Sequence, residues 1–264
     1  MTRNLPFSLL CSRHGSAMYE PKPFRTKKKN PILIGMERFI HAVKTVRGPM
    51  KTRWQYVVGH IESLFIDDLF LSYLFPNRHR VSQKMWRSSQ PHYLQIRGLK
   101  KKGIRTIINL RGARDCATFY LEDKACKKHG VTLVNFPVNS RQPPKLEILE
   151  QLEKLFSGIE YPALMHCKAG SDRVGIMSAL YLLITEKRPP EEAMKQLSWR
   201  YGHIRHAKTG VLDKFLETYR DYSKKNDTDF MTWARTQYDR EAVIASHKVF
   251  SWAEWLINSV LHRE

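Results

Sequence analysis

The chain of 264 residues predicts an α/β domain: a central, mainly parallel sheet flanked by helices, with extra helices at both ends. Three observations carry that reading. Short β-branched or apolar runs alternate with stretches of helical periodicity between residues 54 and 225, the βαβα order that builds a parallel sheet. Two glycines, Gly103 and Gly130, fall where helical patterns stop, a position that favours glycine. A third apolar run ends in a loop that passes directly into another helical stretch, and sheets of this kind bind ligands beyond the carboxyl ends of their strands.

Residues 1–53 hold Pro6, Pro21, Pro23, Pro31 and Pro49 and are expected to be irregular, apart from a helical pattern at Met36–Val46. Trp54 to Phe75 is apolar but interrupted by His60, Glu62, Asp67 and Asp68. That falls short of the roughly 18 apolar residues a bilayer span needs, so a buried or interfacial helix is predicted. Gly103 closes a helix that leads into the strand Thr106-Ile107-Ile108-Asn109-Leu110. The polar loop Arg111-Gly112-Ala113-Arg114-Asp115 precedes a helix ending at His129-Gly130, and Val131–Phe136 is a second strand. Pro143-Pro144 opens a helix running to about Phe156. The third run, Ala163-Leu164-Met165, ends in the loop from His166 to Gly175. Beyond it Ile176, Ala179, Leu180 and Leu183 mark one face of a helix. The chain from 226 to 264 is read as a helical extension. Its stripe Val249, Trp252, Ala253, Leu256, Ile257, Val260 suits packing on the domain or a subunit contact. The expected organisation is a basic, partly disordered arm (1–53), a catalytic domain (54–225) and that extension.

Composition narrows the class. At 42% hydrophobic residues the chain is neither disordered nor collagen-like. Lys+Arg number 45 and Asp+Glu 25, a net charge of +20. Residues 1–53 hold twelve of the basic residues and two acids, 12 − 2 = +10, half the excess, densest at Arg25-Thr26-Lys27-Lys28-Lys29. Such an arm is either solvated or a contact for anionic partners, including phosphorylated substrates and anionic membrane surfaces. Nucleic acid is disfavoured, because no aromatic residues interleave the charges and no reading motif is present. Cys11, Cys116, Cys126 and Cys167 are too scattered for a disulfide scaffold and form no C-x-x-C zinc pair, so a reducing cytoplasm is expected, with no metal or cofactor implied. The apolar run Leu5–Leu10 is too short for a secretory leader.

The loop after the third strand carries the chemistry. Cysteine attacks as the thiolate, and a free pKa of about 8.5 leaves little of it ionised at neutral pH. Between a strand end and a helix N-terminus, Cys167 meets backbone N–H groups and a positive dipole end that stabilise a thiolate and bind phosphate. Lys168, Ala169, Gly170 and Ser171 supply that cradle, with Gly170 free to take a positive φ. Arg173, six residues after the cysteine, offers a planar fork for two phosphoryl oxygens.

His166-Cys167-(five residues)-Arg173, with Gly170 inside and Gly175 beyond, resembles the signature of cysteine-dependent protein tyrosine phosphatases, nearest to bacterial dual-specificity-type enzymes. Trp86–Pro91, Gly103–Arg111 and Leu197–Ile204 are similar to segments of that group, and the resemblance covers roughly residues 80–220. It implies a tyrosine-phosphatase-like fold, a phosphocysteine intermediate on Cys167, and an aspartic acid that protonates the leaving oxygen and then activates water. The family's usual acid lies about thirty residues before the cysteine, but Val134–Pro143 contains no Asp or Glu. Asp172 is the preferred acid, with Asp115 or no dedicated acid as the alternatives, and a helix-capping role for Asp172 as the plainer reading. Val174 stands where relatives have Ser or Thr, which implies slow hydrolysis of the intermediate. Lys168 is similar to a lysine of lipid-phosphatase relatives that faces extra phosphates. Arg111 is a substrate-binding candidate or a partner for Asp115. His166 supports Cys167 from behind, and Cys116 is either inert or a disulfide partner for Cys167. The activity implied is dephosphorylation of phosphotyrosine, with phosphoserine and phosphothreonine as further substrates. A lipid-linked phosphate phosphatase and a catalytically silent phosphate-binding module docked through residues 1–53 are the alternatives; a rhodanese-like sulfur carrier also uses a loop cysteine, but Arg173 and the Gly170/Gly175 spacing fit phosphate better.

Overall fold

The computed structural model describes residues 48, 50–65 and 76–247, all within the second of the two units into which the chain divides, Phe39–Glu264. The basic arm except residues 48 and 50–53, the pattern at 36–46, residues 66–75 and the stripe from Val249 to Val260 lie outside the described residues.

Five strands form one sheet: β1 (His79–Arg80), β2 (Met85–Ser88), β3 (Thr106–Asn109), β4 (Thr132–Asn135) and β5 (Ala163–His166), in the order β1-β2-β5-β3-β4. β1 runs antiparallel to β2 and every other pairing is parallel. The register sets Ser88, His166 and Asn109 in one row, so the loop after His166 leaves from the middle of the carboxyl edge. β5 is the central strand and all four of its residues are buried, as its unbroken apolar run requires. The expected strands at 106–110, 131–136 and 163–165 are present. β1 and β2 were not expected, because Arg87 and Ser88 are polar and give β2 no apolar run; Arg87 is buried through partners distant in sequence.

The helices are α1 (Arg53–Phe65), α2 (Tyr93–Lys101), α3 (Ala117–His129), α4 (Leu146–Gly158), α5 (Asp172–Ile184), α6 (Pro190–Met194), α7 (Val211–Asn226), α8 (Phe230–Thr236) and α9 (Arg240–Ser246). A capping box opens α2, in which His92 accepts from the Leu94 N–H and Gln95 reaches back to the His92 N–H. Gly130 ends α3 in the left-handed conformation, as its place in the sequence predicts.

Two expectations are corrected. α4 begins at Leu146, with the extended residue Lys145 before it, so the two prolines form its approach and not its first turn. The Pro144 and Pro143 carbonyls accept from Tyr238 Oη (2.8 Å) and Arg240 Nε (3.1 Å), which holds them outside the helix. α5 does not present one face: every residue from Val174 to Ile184 is buried. β2 and β5 of the sheet pack against it, and so do α6 and α8, so its sequence is apolar all round. Beyond Asn226, Phe230 and Trp233 pack edge-on and tilted against Phe215 and Tyr219, continuing the same core. Each such aromatic pair adds about 0.5–1.5 kcal/mol beyond area burial. Among the described residues no helix is long and apolar enough to cross a membrane.

Candidate active site

Residues 167–171 connect β5 to α5, and the carbonyls of residues 168–171 each accept from a group outside the loop. The Lys168 carbonyl accepts from the Gln90 N–H (3.1 Å). The Ala169 and Gly170 carbonyls accept from Asn77 Nδ2 (3.1 and 3.2 Å). Arg87 Nη2 donates to Gly170 O (2.9 Å) and Ser171 O (3.3 Å), and Ser171 O also takes the first helical bond of α5, from Gly175 N (2.8 Å). A peptide unit whose carbonyl is anchored outward turns its N–H the other way. The Gly170 N–H accordingly lies on Cys167 Sγ at 3.2 Å. Gly170 has φ +75°, and a Cβ there would stand 2.5 Å from Ser89 N, so only glycine closes the turn. Cys167 is 3% exposed.

Arg87 is the principal brace. Its side chain is fully buried, its Nη1 donates to Gln196 O (2.7 Å) and Oε1 (2.9 Å), and Tyr201 stacks on the guanidinium at 3.8 Å. Burial lowers its pKa to about 10, offset in part by the charges of Tyr201, Cys167 and Asp172. Asn77 adopts φ 41°, a left-handed conformation asparagine tolerates, and its amide also reaches Tyr201 O at 3.0 Å. Sequence reasoning assigned no role to either residue. The segments Trp86–Pro91 and Leu197–Ile204 were singled out only by resemblance, and their common purpose is to hold this loop.

A second buried chain of contacts reaches the cysteine from behind. His166 Nδ1 lies 3.3 Å from the Cys167 carbonyl, and its Nε2 lies 2.8 Å from Glu122 Oε1, off the hydrogen-bonding direction but within ion-pair range. Glu122 Oε2 accepts from Gln90 Nε2 (2.8 Å), and Gln90 Oε1 accepts from Arg111 Nη1. Arg111 is therefore tied into the scaffold below the loop. Asp115 is exposed and accepts from Tyr120 Oη (3.1 Å) and the Gly48 N–H (2.5 Å). Cys116, half-buried, immediately precedes α3, and Cys126 is buried with its thiol pKa pushed up by desolvation.

Asp172 is the first residue of α5. Its Oδ1 lies 2.7 Å from His203 Nδ1, and its Oδ2 accepts from Ser171 Oγ at 3.3 Å. Arg173 follows and lines an open cleft of about 530 Å³ whose other described walls are Pro137, Val138, Asn139, Ser140 and Arg141. The stretch that lacks a carboxylate thus faces Arg173 across the cleft. Asn139 Oδ1 shapes this wall by accepting from the Arg141 N–H (2.8 Å). Lys168 and Ala169 are half-buried at the loop's rim, and Val174 is fully buried.

The family model described as a DSP-PTPase phosphatase fused to NAD+ kinase matches residues 76–210, just over half of the chain. The dual specificity protein phosphatase TpbA of Pseudomonas aeruginosa (strain UCBPP-PA14) is 25% identical over 123 residues, which are 46% of this chain and 53% of that protein. The chain spans about half the length of the curated relatives it matches. Among solved structures, P. aeruginosa TpbA superposes with a TM-score of 0.46 and 17% identity, over 66% of this chain and 91% of that one. A second structure of TpbA, in complex with pTyr, gives 0.43 and 20%, over 56% and 91%. With its cysteine loop lying inside the matched region, the chain belongs to the DSP-PTPase phosphatase family described as fused to NAD+ kinase.

Proposed function

We propose that the chain is a cytoplasmic phosphatase that removes phosphate from phosphotyrosine, and from phosphoserine and phosphothreonine, in proteins. One observation carries the reading: four consecutive carbonyls, from Lys168 to Ser171, are anchored outward while the Gly170 N–H sits on the Cys167 sulfur. A ring of amides turned toward a thiol stabilises its anion and then the phosphoryl oxygens. Cys167 Sγ attacks phosphorus, the S–P bond forms as the bond to the leaving oxygen breaks, and Asp172 delivers the proton to that oxygen. Water then attacks the phosphocysteine, with Asp172 taking the proton and the thiolate leaving. Arg173 holds two non-bridging oxygens throughout, and the amides of residues 168–171 hold the remainder. Arg111 contributes to substrate binding through the scaffold it shares with Gln90, and His166 orients the Cys167 backbone. The dual-specificity name of the TpbA relatives agrees with protein substrates.

A second reading, a lipid-linked phosphate as substrate, is favoured by Arg141 and Arg173 lining one cleft with no carboxylate among its described walls, by Lys168 on the loop, and by the basic arm acting at an anionic membrane surface. A panel of phosphopeptides and phosphoinositides assayed with wild type, Cys167→Ser and Asp172→Ala decides. Turnover of phosphotyrosine peptides that Cys167→Ser abolishes supports the first reading, and turnover confined to phosphoinositides supports the second. Binding without turnover by wild type would leave a phosphate-binding module.

A further inference from the structure

His203 is 3% exposed, and both ring nitrogens meet carboxylates: Nδ1 lies 2.7 Å from Asp172 Oδ1 and Nε2 lies 2.6 Å from Asp213 Oδ2. An imidazole flanked by acceptors on both nitrogens donates from both only when it carries two protons. Asp172 opens α5 and Asp213 lies in the first turn of α7, so the ring bridges the start of the catalytic-loop helix to a neighbouring helix. A buried side chain that served only to fill space would not need two carboxylates, and a carboxylate that served only as a helix cap would not need a histidine.

We propose that His203, backed by Asp213, is a positioning residue of the phosphatase reaction, fixing the orientation of the Asp172 carboxyl and coupling that group's protonation to the imidazole. This rests on the reading of Asp172 as leaving-group acid. When Asp172 gives its proton to the leaving oxygen, the carboxylate left behind already accepts the His203 N–H, so the charge that forms is met by one in place. A cationic ring this close favours the ionised carboxyl, so the proton is released at lower pH with the ring than without it. The Arg87 guanidinium, on the carbonyls of Gly170 and Ser171, also acts on the Asp172 charge, and Arg173 follows Asp172 in the first turn of α5. Arg205, His206 and Lys208 follow on the segment of His203.

The test compares the full chain with His203→Gln, Asp172→Asn and the double variant on two aryl phosphates. p-Nitrophenyl phosphate has a leaving group that needs little protonation, and phenyl phosphate has one that needs it. His203→Gln is expected to move the descending limb of kcat/KM to higher pH by about one unit, in line with the shift an opposite charge causes. It should also lose about tenfold more on phenyl than on p-nitrophenyl phosphate, less than the roughly 10²–10⁴-fold a general acid supplies, because Asp172 itself is retained. The double variant should lose no more than Asp172→Asn alone. A limb that stays at the wild-type pH, or a His203 loss that multiplies with that of Asp172, overturns the proposal. Should His203→Gln fail to fold, Asp213→Asn is expected to move the limb in the same direction, and an unmoved limb there overturns it equally. Wild type that hydrolyses neither ester removes the phosphatase reading and this one with it, whereas turnover with an unmoved limb removes only the role of His203.

Discussion

Gly170→Ala tests the geometry of the loop at one atom. An added Cβ would lie 2.5 Å from Ser89 N, 2.7 Å from Ser88 C and 2.9 Å from Ser88 O, all of them backbone. Those atoms cannot swing aside, because the Ser89 N–H is bonded to Pro76 O (2.9 Å) and Ser88 pairs with His166 in the sheet. The left-handed backbone of residue 170, φ +75°, adds about 1–2 kcal/mol for any L side chain. Overpacking against a fixed neighbour adds about 1–3 kcal/mol. Together these put the strain at roughly 2–5 kcal/mol, relieved either by unfolding or by displacing the loop. If about 3 kcal/mol falls on the loop, kcat/KM drops on the order of 100-fold. If the folded state bears about 2 kcal/mol, Tm falls by roughly 4–8 °C. Steady-state kinetics on a phosphotyrosine peptide and a thermal melt read both quantities. Wild-type kcat/KM together with wild-type Tm would refute the argument that the loop is closed against Ser88 and Ser89.

Arg87→Lys keeps the charge but loses the fork that joins Gln196 to the loop carbonyls; an activity loss of at least tenfold with a stability loss of about 2–4 kcal/mol is expected by urea titration, and unchanged values would count against a bracing role. Val174→Thr places a hydroxyl at the fully buried position after Arg173, and rapid-quench kinetics should show a smaller burst and faster steady state; a burst already absent in wild type would contradict the slow second step. Burial disfavours the charged form of His203, but Asp172 and Asp213 outweigh it and raise its pKa from 6.5 to about 9. The group binds its proton more tightly folded than unfolded, so its contribution, on the order of 3 kcal/mol, is complete below pH 6.5 and lost as pH rises to about 9. Unfolding free energies across that window should fall more steeply for wild type than for His203→Gln, and parallel curves would exclude the linkage.

Much of this was legible in the chain. The β-branched runs of β3 and β4 and the apolar run of β5 identify themselves by residue type, and Gly130 marks the end of α3 by position. Cys167, Gly170 and Arg173 are spaced within seven residues, so their loop is a local pattern, and its place between a strand and a helix follows from the flanking periodicity. The all-round burial of α5 was hidden, since its apolar positions match a one-faced helix as well as a central one until the elements packed against it are known. The two strands before α2 were hidden for the opposite reason, since their polar residues resemble a loop.

What the chain could not reveal is partnership across distance. Arg87 finds Gln196 across 109 positions and Gly170 across 83, and Asn77 finds Ala169 across 92. Asp172 reads as an acid or a cap from its neighbours, and only the fold brings His203 to it from 31 residues away. Residue type and spacing determined which residues form the cysteine loop, because that pattern is met by contiguous backbone. The tertiary structure decided which way the loop's carbonyls turn and which charge each acid faces, because buried polar groups take as partners whatever the packed chain places within bonding distance.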